Sequence, residues 1–85
     1  MKDRKLTIYP NPASEKATIE FNVLNHGEAT IHITDLIGKN VSTQKIRVTK
    51  GLNNAFINVS TLPSGTYIIK VISGKQTFTN KFIVK

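Results

Sequence analysis

The side chains that most often do acid, base or metal chemistry are few in this sequence and far apart. Five carboxylates and two imidazoles are spread along 85 residues: Asp3, Glu15, Glu20, Glu28, Asp35, His26 and His32. No pair of carboxylates has a spacing that suggests a general acid and its base. We expect both histidines at the surface, His26 in a turn and His32 on the polar face of a strand. The sequence therefore contains no recognisable catalytic constellation.

Other kinds of catalytic or ligand-binding site are also missing from the sequence. Cysteine is absent, which removes disulfides, thiolate metal ligands and cysteine nucleophiles together. There is no glycine-rich phosphate loop, zinc-ligand spacing or nucleophile elbow. We expect no enzymatic activity, no cofactor, no metal and no small-molecule substrate. A deep pocket lined by Asp35 and His32 would reopen the possibility of a small enzyme.

The net charge of +7 raises the question of an anionic partner such as nucleic acid. The twelve basic residues, however, extend from Lys2 to Lys85 and are nowhere denser than at Arg4-Lys5. No aromatic side chains alternate with them to provide stacking platforms for bases. We therefore expect a solvated basic surface and no nucleic-acid binding.

The length and composition predict one small all-β domain. Eighty-five residues suffice for a single domain, and isoleucine, valine, phenylalanine and tyrosine recur where helix formers are sparse. No apolar stretch approaches the 18 residues of a membrane span. The start of the sequence shows no apolar targeting segment. We expect either a cytoplasmic protein or a module from the end of a longer chain, with residues 1–5 as a linker or remnant and 6–85 as the domain.

Short runs of alternating apolar and polar residues predict about seven strands. In the second run, Asn11, Pro12 and a helical spacing of apolar residues offer an alternative helix. The strict alternation of Ala17, Ile19, Phe21 and Val23 favours a strand. The inward positions of the seven runs begin at Leu6, Ala17, Ala29, Val41, Ala55, Tyr67 and Phe78. Seven short strands at intervals of 8–12 residues indicate an immunoglobulin-like antiparallel β-sandwich with Greek-key connections.

Two details of the pattern make more specific predictions. In the fourth run the apolar residues change from an odd position at Val41 to even positions at Ile46 and Val48. This break in the alternation predicts a β-bulge or an edge position for the fourth strand. Leu62 to Gly65 fits a type I turn, with proline second and glycine fourth. Tyr67 then stands where a tyrosine corner is expected, and we predict that its hydroxyl binds backbone around residues 62–64.

Four short motifs occur in order along the chain. Pro10-Asn11-Pro12 follows the Ile8-Tyr9 strand end, and Asp35 to Lys39 forms a D-x-x-G-K turn with Gly38 expected at positive φ. Leu62 to Tyr67 reads L-x-x-G-x-Y, and Lys81 to Lys85 reads K-x-x-x-K at the end of the sequence. This combination resembles the type A C-terminal sorting domain of the type IX (Por) secretion system of Bacteroidetes.

The resemblance implies a secretion address rather than a catalyst. Members of that family are immunoglobulin-like sandwiches at the end of an exported cargo protein. An N-terminal signal takes the cargo to the periplasm, where the sorting domain is recognised by an outer-membrane translocon. A surface sortase usually removes the domain, and the cargo remains at the outer-membrane surface or is released. The expected partners are therefore the upstream cargo, the translocon and the sortase.

Physical roles compete with recognition at each motif. We interpret Gly65 and Tyr67 first as a folding device, and the Pro10–Pro12 segment as a corner that joins strands of different sheets. Lys81 and Lys85 are predicted to point outward, about 13 Å apart on one side of the last strand. They either protect an edge strand from aggregation or present charge to a partner with an acidic groove. The main alternative for the whole domain is an accessory module that binds carbohydrate or acts as a spacer in a secreted enzyme. An exposed aromatic platform would favour it.

Overall fold

A computed structural model describes residues 5–85 and contains seven β-strands. They are β1 (Leu6–Tyr9), β2 (Lys16–Val23), β3 (Gly27–Asp35), β4 (Asn40–Val48), β5 (Gly51–Asn58), β6 (Gly65–Ser73) and β7 (Gln76–Val84). Each strand coincides with one of the predicted alternating runs. Within the described range, no helix is long and apolar enough to cross a membrane.

The strands form two antiparallel sheets. One has three strands in the order β1-β2-β5, and the other has four in the order β4-β3-β6-β7. The chain changes sheet between β2 and β3, between β4 and β5, and between β5 and β6, which is Greek-key connectivity. The architecture confirms the predicted all-β, immunoglobulin-like sandwich.

The core lies between the inner faces of the two sheets. Alternate residues of the strands point into it. In β2, for example, Ala17, Ile19, Phe21 and Val23 are buried while the residues between them are more exposed. The rings of Phe21 and Phe78, from opposite sheets, lie 5.4 Å apart. Full burial of one such large apolar side chain stabilises the fold by about 1.5–3 kcal/mol.

The fourth strand has both the edge position and the β-bulge that the break in its alternation predicts. It is an edge strand of the four-stranded sheet, and its register against β3 shifts between Ile33 and Thr34. Ile33 is opposite Ser42 and Thr34 is opposite Asn40, so Val41 is the extra residue. The bulge lets Ile46 and Val48 pack inward although Val41 is out of step with them.

Candidate recognition site

The outward side of the last strand carries Lys81, Ile83 and, just beyond the strand, Lys85. Both lysines are exposed and Ile83 is 47% exposed. Phe82 and Val84, on the opposite side, are buried in the core. Alternation on an edge strand thus produces the outward two-lysine row that the sequence predicts. In the part of the chain that the structure describes, neither ammonium group has an ion-pair or hydrogen-bond partner.

The proline-flanked segment after β1 carries the chain from the first sheet to the free side of β7. Both X-Pro peptide bonds, Tyr9-Pro10 and Asn11-Pro12, are cis. Asn11 Oδ1 accepts a hydrogen bond from the Ile83 amide at 2.9 Å. The Ala13 amide donates to Ile83 O, and the Lys85 amide donates to Ala13 O, both at 2.8 Å. Residues 11–13, which we call the corner segment, therefore bridge the two sheets and cover the C-terminal end of the β7 edge, at Ile83 and Lys85.

Tyr67 makes the hydrogen bond that its position predicts. Its side chain is buried, and its hydroxyl donates to Pro63 O at 2.6 Å. The hydrogen-bonded turn, however, lies earlier than expected: the Leu62 amide donates to Val59 O at 3.0 Å, whereas Leu62–Gly65 carries no such bond. The chain is crossing between sheets here, so the turn closes directly after β5. Leu62 packs partly buried against the core.

Gly65 begins β6 with φ of 156°, a backbone conformation that L side chains rarely adopt. It lies opposite Val84 of β7, and Tyr67 lies opposite Phe82. The Tyr67 and Phe82 rings stack at 5.8 Å. The L-x-x-G-x-Y motif is thus directly beside the end of the terminal strand, where it supports Phe82 and Val84 from the neighbouring strand.

Asp35 organises the turn after β3. Its Oδ1 accepts the amides of Ile37 at 3.0 Å and Lys39 at 2.9 Å, and Gly38 has the predicted positive φ, 92°. A carboxylate that caps its own turn in this way has a structural role in the turn. Asp35 is also the cross-strand partner of Tyr67 on the neighbouring strand β6.

The four motifs that are separate in the sequence therefore lie along one end of the four-stranded sheet. Asp35, Tyr67 and Phe82 are cross-strand neighbours on β3, β6 and β7. The corner segment binds the next residue along β7, Ile83. This end presents Lys81 and Lys85 on a backbone that the other three motifs fix.

Asn80 makes structural contacts beside the lysine row that the sequence interpretation missed. Its Nδ2 donates to Leu6 O at 2.7 Å, and its Oδ1 accepts the Lys81 amide at 2.8 Å. One amide side chain thus links β1 to β7 across the open side of the sandwich. The available signal was a polar residue at an inward position between Phe78 and Phe82, where an apolar side chain is expected.

The histidines and carboxylates are not brought together. His32 lines a shallow surface depression of about 540 Å³ with Thr34, Ile68 and Lys70, but Asp35 does not line it. His32 Nδ1 lies 3.4 Å from Thr43 Oγ1. Among residues 5–85, no three His, Asp or Glu side chains are grouped so that they could hold a metal ion.

Two aromatic side chains are exposed on the outer face of the three-stranded sheet. Tyr9 is 44% and Phe56 is 70% exposed, and Thr18 of the middle strand lies between them in register. The Tyr9 hydroxyl donates to Glu20 Oε2 at 2.9 Å. This hydrogen bond raises the pKa of Tyr9, with smaller contributions from burial and from the charge of Glu20.

Comparison with known proteins connects this arrangement to a family. The family model described as "Secretion system C-terminal sorting domain" matches residues 7–85, nearly the whole chain. No curated protein matches the chain.

Proposed function

The chain belongs to the family of type IX secretion-system C-terminal sorting domains, and on this basis we propose that its secretion machinery reads the outward row formed by Lys81 and Lys85. The domain is a sorting signal for an exported cargo protein and implies delivery to the cell surface or medium. The comparisons give no support to the alternative of a carbohydrate-binding or spacer module.

The bounds of the sorting domain and the path of the cargo across the cell envelope are also proposed. We propose that residues 6–85 form the sorting domain after a short linker at residues 1–5, of which residues 1–4 lie outside the described part of the chain. The cargo passes through the periplasm, an outer-membrane translocon recognises the domain, and a surface sortase then processes it. The domain acts by being bound and has no catalytic role of its own.

The exposure of Lys81 and Lys85 beside a covered strand edge carries the proposal. Lysines on an edge strand often serve only to prevent strand-to-strand aggregation. Here the corner segment already bonds the edge at Ile83 and Lys85, so the C-terminal end of the strand does not need charge for protection. The lysine row is therefore available for another purpose.

The chemistry of the row defines the surface that would recognise it. Two outward lysines whose Cα atoms are about 13 Å apart along the strand, with a half-exposed isoleucine between them, match a groove with two acidic positions and an apolar floor. Lys81 also has Ile68 of β6 as its cross-strand neighbour. The neighbouring isoleucines would add apolar contact while the lysines set the register.

The test is export of a periplasm-targeted reporter fused upstream of the domain, in a host with a type IX system. We expect the double variant Lys81→Ala/Lys85→Ala to fold normally and to retain the reporter in the periplasm. The matched control is Lys45→Ala/Arg47→Ala, which removes two positive charges from β4 at the opposite edge of the same sheet. Normal export of the first variant would overturn the role of the lysines, and equal loss in both would assign it to net charge instead.

A further inference from the structure

The outer edge of β5 is the sheet edge that this fold protects least. β1, β5, β4 and β7 lie at the four edges of the two sheets. An unprotected edge presents a row of backbone donors and acceptors that can pair with another strand, so natural sheets shorten, bend, charge or cover their edges.

Three of the four edges carry such protection. β1 has only four residues and is followed directly by Pro10, and the Asn80 amide binds its Leu6 carbonyl. β4 is interrupted by the bulge at Val41 and carries Lys45 and Arg47.

β7 is covered at its C-terminal end, at Ile83 and Lys85, by the corner segment. In the described part of the chain, the short length of β1, the bulge and charges of β4 and the covering segment of β7 have no counterpart on β5, on which the Asn53 side chain binds a single backbone group, the carbonyl of Gly51, the first residue of the strand.

β5 is long, regular and uncharged. It pairs with β2 over eight residues without a register shift, and it contains no proline. No charged residue occurs between Lys50 and Lys70. Its outer face also exposes two large apolar side chains, Leu52 at 64% and Phe56 at 70%. These features together are typical of a strand that receives another strand.

The pattern of β5 is complementary to itself. Leu52 and Phe56 are four residues apart on the outer face, and Asn54 stands midway between them. If two copies pair antiparallel with Asn54 opposite Asn54, each Leu52 lies opposite the partner copy's Phe56. This arrangement gives two identical aliphatic–aromatic pairs around a two-fold axis, which is the form of an isologous interface.

We propose that β5 pairs with β5 of a second copy of this chain, joining two three-stranded sheets into one six-stranded sheet. The distribution of charge favours this occupant. Every copy carries a net charge of +7, but Lys45, Lys70 and Lys81 lie on the other sheet. Lys16 and Lys50 lie beside the two ends of β5, so the uncharged middle of this strand is the place where two copies approach with least repulsion. The inference does not depend on recognition of Lys81 and Lys85.

The size of the contact sets its expected strength. Eight residues of strand edge with two exposed apolar side chains form less than the roughly 800 Å² per partner of a standard interface. The dimer should therefore be weak and concentration-dependent. Because salt screens repulsion between like-charged bodies, dimerisation should increase as ionic strength rises.

Sedimentation velocity over a range of concentrations, at about 0.05 and about 0.5 M NaCl, tests the proposal. We expect a monomer–dimer equilibrium with more dimer at the higher salt. Asn54→Lys places two ammonium groups opposite each other on the two-fold axis and should leave only monomer. Thr79→Lys adds the same charge at an exposed position on β7 and should dimerise like the unmodified chain.

Two results would overturn the β5 pairing. One is a chain that stays monomeric up to about 1 mM, and the other is an Asn54→Lys variant that dimerises as well as the original. The export assay separates this proposal from the previous one, since the Asn54→Lys variant should carry the reporter to the cell surface normally.

Discussion

The amide of Ile83 donates a 2.9 Å hydrogen bond to the side chain of Asn11, which precedes it by 72 residues. Together with the Ala13–Ile83 and Lys85–Ala13 bonds, this contact closes the first part of the chain onto the last strand. It also fixes the backbone at Ile83 and Lys85, so the end of the lysine row is held in place before any partner binds.

The Asn11 side chain should contribute measurably to the stability of this closure. Asn11→Ala removes the acceptor for the Ile83 amide, and we expect a loss of about 1 kcal/mol because the site is exposed and water replaces the bond in part. For a domain of this size that loss lowers Tm by roughly 4–8 °C.

Thermal unfolding measures the effect, and hydrogen exchange at the Ile83 amide locates it. Asn11→Asp is the matched control because it retains an acceptor oxygen at the same place. If the aspartate variant loses as much stability as the alanine variant, the hydrogen bond is not the reason for the asparagine.

The buried hydroxyl of Tyr67 should matter more than the exposed hydroxyl of Tyr9. Tyr67→Phe leaves Pro63 O without its 2.6 Å donor, and we expect a cost of about 1 kcal/mol. Tyr9→Phe removes an exposed bond to Glu20 and should cost clearly less. Urea unfolding of both variants provides the comparison, and equal midpoints would contradict the tyrosine-corner role.

Much of the fold could be predicted because it depends on local patterns. Alternation in residues 17–23 was sufficient to choose strand over helix, and a slipped parity located the irregular edge strand. The Tyr67–Pro63 bond spans only four residues, so the sequence alone indicated it. These features arise from side-chain direction and turn chemistry within one segment.

The closure between the ends of the chain could not be predicted in the same way. Asn11 and Asn80 bind backbone groups more than 70 residues away, and no sequence period shows which strands will become neighbours at an open edge. The hydrogen-bonded turn at Val59–Leu62, which precedes the predicted turn at Leu62–Gly65, also depends on contacts that the local sequence does not show. The path of the chain between the sheets, rather than the preference of Pro63, determines where it closes.

The hydrogen bond between Tyr9 and Glu20 makes one prediction about pH. Because the pKa of Tyr9 is raised in the folded state, the associated stability is fully present below the ordinary pKa of 10.0 and is lost as pH rises through the higher folded value. Glu20→Gln should move the Tyr9 pKa back towards 10.0.

The ultraviolet absorbance of tyrosinate during alkaline titration gives the measurement, and Tyr9→Phe identifies which transition belongs to Tyr9. An unchanged Tyr9 transition in the Glu20→Gln variant would show that the carboxylate does not raise this pKa.

Asn80 offers a direct test of how β1 and β7 are joined. Its side chain donates one hydrogen bond, to Leu6 O, and accepts another, from the Lys81 amide, and a substitution can remove the donor while it retains the acceptor. Asn80→Asp retains an oxygen for the Lys81 amide but replaces the donor to Leu6 O with a carboxylate facing a carbonyl oxygen. The ionised form is disfavoured there, so the folded-state pKa of the new carboxyl should be raised. The variant should consequently gain stability, relative to the original chain, as pH falls and the protonated carboxyl can again donate.

Asn80→Leu loses both bonds and should show no such pH dependence. Chemical denaturation of the two variants from neutral pH to about pH 4 makes the comparison, and a pH-independent difference between them would exclude a donor role for the Asn80 amide.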